Sequence, residues 1–89
     1  MKVSKEFILR EIADEYILVP IGEMAATFNG LITVNEIGAL IFNLLLNNKS
    51  VDEIVMKILS EYDVDEQTAR EDVNEFIGYL KEKHIIVEE

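Results

Sequence analysis

Leu31-Ile32-Thr33-Val34-Asn35-Glu36-Ile37-Gly38-Ala39-Leu40-Ile41-Phe42 contains the change of rhythm on which the fold turns. Leu31 to Val34 is an aliphatic, β-branched run and reads as a strand. Asn35 suits a helix N-cap, because its side-chain oxygen can accept from an unpartnered N–H of the first turn. Glu36 then puts negative charge where the helix dipole favours it. From there Ile37, Leu40, Ile41, Leu44 and Leu45 recur at offsets of three and four, which is helical spacing. A strand therefore passes directly into a helix, and Leu46-Asn47-Asn48-Lys49 closes that helix.

Towards the N-terminus the pattern is that of strands. Phe7-Ile8-Leu9-Arg10-Glu11-Ile12 is rich in aliphatic residues, Ala13-Asp14-Glu15 is a short turn, and Tyr16-Ile17-Leu18-Val19 is a β-branched and aromatic run. Pro20 lacks an N–H and belongs at a strand end. The segments predict a β-hairpin followed by a turn at Gly22-Glu23. Met24-Ala25-Ala26-Thr27-Phe28 is compatible with a strand, and Asn29-Gly30 is a strong two-residue hairpin turn. Residues 24–34 thus read either as a small hairpin or as one strand broken by a bulge. Ser4 lies in a start expected to fray.

Towards the C-terminus the pattern is helical. Ser50 and Glu53 form an S-x-x-E capping box ahead of the stripe Val51, Ile54, Val55, Ile58, Leu59 and Tyr62. After the link Asp63-Val64, Asp65 caps a third helix with the stripe Ala69, Val73, Phe76, Ile77 and Leu80. Lys81, Lys83 and His84 fall in its last turn, where positive charge suits the carbonyl end. Ile85-Ile86-Val87 reads as a stub strand or a packing strap. Strands followed by helices with short connections predict an α+β fold: an N-terminal three-stranded antiparallel sheet followed by a three-helix bundle. The 89 residues suffice for a single domain over 1–89.

Composition limits the function classes. There is no cysteine and one histidine, so neither a disulfide nor a structural zinc site is expected. The net charge is −10, with 18 acidic against 8 basic residues, which disfavours nucleic acid and anionic membranes. A basic or neutral peptide partner is compatible with it. No secretory signal or membrane span is read in the sequence, so a soluble, cytoplasmic protein is expected. Catalysis has little to work with. Ser50 is used as a cap, His84 is more simply a partner of the helix dipole, and most acids fall on polar helix faces. No phosphate loop, calcium loop or other cofactor motif is present. The last two helices have the outline of a DNA-binding winged helix, which is the alternative reading. Its reading helix would begin Asp65-Glu66-Gln67-Thr68-Ala69-Arg70-Glu71-Asp72, in which four of eight side chains are carboxylates.

Several stretches together resemble the PqqD-like family, also called RiPP recognition elements (for ribosomally made, post-translationally modified peptides). Leu31 to Phe42 resembles that family's strand and Asn-led helix with small residues in its first turn. Lys49-Ser50-Val51-Asp52-Glu53-Ile54-Val55 resembles its T/S-V-x-E-I-V helix start. Asp72-Val73-Asn74-Glu75-Phe76-Ile77-Gly78-Tyr79-Leu80 resembles its D-V-x-x-F-L-x-x-L signature. Lys81 to Val87 resembles its closing segment, with His84 where glycine is common. The resemblance runs from Phe7 to Val87.

The resemblance implies a winged-helix-like fold and a non-catalytic role. The chain would capture the leader of a precursor peptide and present it to a modifying enzyme, often a radical S-adenosylmethionine enzyme. The leader would add as a strand beside Leu31, Ile32, Thr33 and Val34, with Phe28 just before them. The third helix would wall the groove through Asp72, Val73, Phe76 and Tyr79. Of these, Val73 and Phe76 (with Leu80) are assigned to packing, and Asp72 and Tyr79 to partner contact. No cofactor or metal is implied. An open edge can also pair with its own copy, so monomer and homodimer both stay open.

Overall fold

The computed structural model describes residues 1–28 and 30–87. Two strands, β1 (Lys2–Val3) and β2 (Phe7–Ile12), lead into β3 (Glu15–Pro20) and a short helix, α1 (Glu23–Thr27). The chain continues through β4 (Ile32–Val34), α2 (Glu36–Leu46), α3 (Val51–Glu61), α4 (Glu66–Glu82) and β5 (Ile86–Val87). The third helix of the sequence reading is α4, and its third strand is β4.

The β2–β3 hairpin pairs Phe7 with Pro20 at its base and Ile12 with Glu15 at its tip. Ala13 and Asp14 turn it with φ of 52° and 68°, the left-handed pair that matches the twist of the flanking strands. Strand β4 then adds antiparallel to β3, with Val34 opposite Tyr16 and Ile32 opposite Leu18. The sheet order is β2-β3-β4, which leaves β4 at one border.

Each long helix begins at a side-chain cap. Asn35 Oδ1 accepts from Gly38 N–H at 2.7 Å, and Asp65 Oδ1 from Thr68 N–H at 2.8 Å. Ser50 and Glu53 close both bonds of a capping box, at 2.9 and 3.1 Å. Helices α2 and α4 end alike. Lys49 N–H donates to Leu44 C=O and Asn48 N–H to Leu45 C=O, while Ile85 N–H donates to Leu80 C=O and His84 N–H to Lys81 C=O. These are Schellman closures, and Asn48 and His84 supply the left-handed residue with φ of 60° and 61°. The buried stripe Ile54, Val55 and Ile58 of α3 meets Ala69, Val73, Ile77 and Leu80 of α4 and Ile41, Phe42 and Leu45 of α2 in one core. Leu18, Ile32 and Val34 of the sheet close that core from the other side. Tyr62 Oη donates to Glu36 Oε2 at 2.6 Å and so ties the end of α3 to the start of α2. That bond to a carboxylate holds the phenol proton and raises the Tyr62 pKa to about 12.

Three expectations need correction. Met24–Thr27 is helical, so residues 24–28 are not a strand, and a fourth helix joins the expected three. Glycine at its N-cap gives this helix no side-chain cap bond, so the sequence carries no start signal for it. The Asn29-Gly30 turn falls partly on residue 29, outside the described residues. The start does not fray: Lys2 pairs with Val87 and Val3 with Ile86, and Ser4 N–H donates to Ile85 C=O at 2.7 Å. No helix among the described residues is long and apolar enough to cross a membrane.

Candidate functional site

The border of β4 away from β3 has no strand partner among the described residues. Among the described residues, no loop or cap backbone group is bonded to residues 31–34 either. Along an antiparallel strand, consecutive residues turn their N–H and C=O alternately to either side. Whichever of Thr33 or the pair Ile32 and Val34 bonds to β3, the other set faces outward unpaired. Such groups are a template for another chain. The opposite border, β2, is also open but carries Arg10 and Glu11, charges of the kind that blunt an edge. Strand β4 has none.

Side chains alternate as the pleat requires. Ile32 and Val34 are buried in the core, while Thr33 is exposed and Leu31, just before the strand, is 62% exposed. Phe28 is half-buried and meets Phe7 edge to face, with ring centroids 5.2 Å apart. It anchors the chain entering β4 and does not line the cleft described next.

That cleft, of about 350 Å³, opens where β4 runs into α2. One wall is the first two turns of α2, with Asn35, Ile37, Gly38 and Ile41. The other is α4, with Asp72, Glu75, Phe76 and Tyr79. Gly38 makes the junction close. A Cβ there would lie 3.2 Å from Val34 Cβ and 3.3 Å from Phe76 Cε1, so strand, helix and aromatic ring converge on the missing side chain. Phe76 thereby serves two purposes: it packs, half-buried, against the core and lines the cleft. Val73 and Leu80 are fully buried behind it and present nothing to a partner. Asp72 is exposed, and Tyr79 is 39% exposed with Lys83 Nζ 5.8 Å from its ring centroid.

Of the residues expected from sequence, Asp72, Phe76 and Tyr79 thus share one cleft, and Leu31 to Val34 lie on the neighbouring border. Sequence reasoning missed Asn35, Ile37, Gly38, Ile41 and Glu75. The signal for Glu75 was its place one turn from Asp72. Ile37 and Ile41 were read only as core stripe, because periodicity does not separate a buried face from one shared with a cleft. Among the described residues no His, Asp or Glu side chains gather in threes able to hold a metal. The start of α4, which a DNA reader would aim at phosphates, exposes Asp65, Glu66, Glu71 and Asp72.

A family model described as coenzyme PQQ synthesis protein D (PqqD) matches residues 15–86. Among solved structures, the one described as TbiB1 in complex with the TbiA(beta) leader peptide shares 30% identity and superposes with a TM-score of 0.78. The match covers 96% of this chain and 93% of that one. A structure described as lasso peptide synthetase B1 complexed with the leader peptide reaches a TM-score of 0.82 at 21% identity, covering 98% and 96%. At that identity it speaks for the fold alone. No curated protein matches the sequence.

Proposed function

This chain belongs to the PqqD family, and from that premise we propose that it captures the leader of a precursor peptide as an added strand on β4 and presents it to a separate modifying enzyme. One observation carries the proposal: an uncharged strand border without a strand partner among the described residues adjoins a cleft of mixed apolar and acidic lining. Strand addition draws affinity from main-chain bonds and specificity from pockets for alternate side chains. Thr33 and Leu31 lie on the exposed face and leave the border accessible. The TbiB1 structure, a relative of similar length, holds a leader peptide, which supports the same ligand class here.

The chain itself acts as carrier, not catalyst. The cleft offers carboxylates and a phenol but no serine, histidine or cysteine to pair as nucleophile and base. The chemistry then belongs to the enzyme served. A radical S-adenosylmethionine enzyme is the expectation from the family resemblance. One domain over residues 1–89, working in the cytoplasm where precursor peptides are made, completes the reading.

Amide hydrogen exchange tests it, using the full chain and synthetic peptides tiling the leaders of precursor peptides from the same host. A binding segment should slow exchange in residues 31–34 and perturb Phe76 and Tyr79. Protection on β2 instead, or binding that leaves residues 31–34 unchanged, overturns strand capture at β4.

A further inference from the structure

The cleft is chemically divided along its length. Its floor is apolar, from Ile37, Ile41 and Phe76, whereas Asp72 and Glu75 stand one turn apart on its rim. Neither carboxylate has an ion-pair or hydrogen-bond partner among the described residues. Arg70 is engaged by Asp52 and Glu66, and Lys57 by Glu61. Among the described residues, no cation lines the cleft. Beyond Tyr79 the chain carries Lys81, Glu82 and, at the helix C-cap, Lys83, whose Nζ lies over the Tyr79 ring. The field along this wall therefore runs from acidic at Asp72 and Glu75, through an aromatic ring, to basic.

We propose that the guest strand carries a lysine or arginine two or three positions from a large apolar residue, the cation beside Asp72 and Glu75 and the apolar group on the floor near Phe76 and Tyr79. This rests on the strand-capture reading. The spacing follows from comparing rises. At 1.5 Å per helical residue, Tyr79 lies about 6 Å along α4 from Glu75 and about 10 Å from Asp72. At about 3.3 Å per residue, a strand following α4 covers those distances in two to three positions. A separation of two keeps both side chains on one face of the guest. The net charge of −10 adds a long-range pull in the same direction. A guest with acid in place of the base would meet two unpaired carboxylates, so the rim selects against such leaders as well as for basic ones.

A phage library of random twelve-residue peptides, selected on the immobilised full chain, tests this. Wild type should enrich Lys or Arg two or three positions from Phe, Tyr, Trp, Leu or Ile. The Asp72→Asn/Glu75→Gln variant should keep the apolar preference and lose the basic one. Both residues are exposed, so the fold is not at stake. A selected basic peptide should bind that variant about two- to fivefold more weakly per neutralised carboxylate, in the range of exposed ion pairs. Asp72→Lys/Glu75→Lys should turn the preference to Asp or Glu. Glu71→Gln, which removes one charge outside the cleft, is the control for bulk charge. If it shifts the preference as much as the cleft variant does, the inference fails. Enrichment of apolar peptides indifferent to charge leaves strand capture standing and overturns the inference. No enrichment above the bare support overturns both.

Discussion

Gly38 and Gly78 are both helical, and the structure assigns them opposite tolerances. A methyl at Gly38 meets Val34 Cβ at 3.2 Å and Asn35 Oδ1 at 3.3 Å, atoms held by the backbone and by a cap bond. Crowding of that kind costs about 1–3 kcal/mol, against a gain of up to about 1 kcal/mol in helix propensity. Gly38→Ala should therefore lose about 1 kcal/mol in urea unfolding and weaken peptide binding by displacing Val34 or Phe76. At Gly78 nothing lies within 4 Å of the added methyl. Gly78→Ala should gain up to about 1 kcal/mol in the same assay. His84 belongs to this scale too. Sequence resemblance marks its position as one where glycine is common, and the left-handed φ of 61° supplies the reason. His84→Gly should stabilise by about 0.5–1 kcal/mol, the relief of left-handed strain less the added freedom of the unfolded chain. A lower melting temperature for that variant would contradict this account of the helix end.

At the scale of elements, the α3 start gives a pH dependence. The Ser50 backbone N–H, with its hydroxyl contact, holds the Glu53 carboxyl below its ordinary value of 4.5. A depressed carboxyl stabilises the fold fully above the unfolded value, and that contribution is lost as pH falls through the folded value. Urea midpoints should thus decline from about pH 4.5 downward, and less steeply in Glu53→Gln. Ser50→Ala should cost about 1 kcal/mol as the lost cap. On β4, Thr33→Pro removes one N–H and should weaken leader binding in a titration while the chain stays folded; unchanged affinity would count against the border as the docking place.

The same scale explains what could be read in advance. The hairpin and the three long helices announce themselves by period and by the caps Asn35, Ser50 and Asp65, all local signals. Helix α1 has no side-chain cap and an ambiguous Met-Ala-Ala-Thr composition. Strands β1 and β5 have two residues each and exist only through pairing between opposite ends of the sequence. The border of β4 was legible, since an uncharged strand stood out beside Arg10 and Glu11. The cleft was half legible. Asp72, Phe76 and Tyr79 came from one signature, but the opposite wall depends on how α2 settles against α4, and Gly38 reveals its part only once Val34 and Phe76 are in place.

For the whole molecule, the pairing of Lys2 with Val87 and Val3 with Ile86 has a topological consequence. Head and tail leave the body side by side. A short bridge could therefore join them, and the chain be reopened after Asp63, in the loop between α3 and α4, to give a circular permutant with the same core. Such a rearranged chain should melt cooperatively and hold its leader with unaltered affinity. The same adjacency would let the unit be spliced into a surface loop of a larger host, entering and leaving through a single doorway.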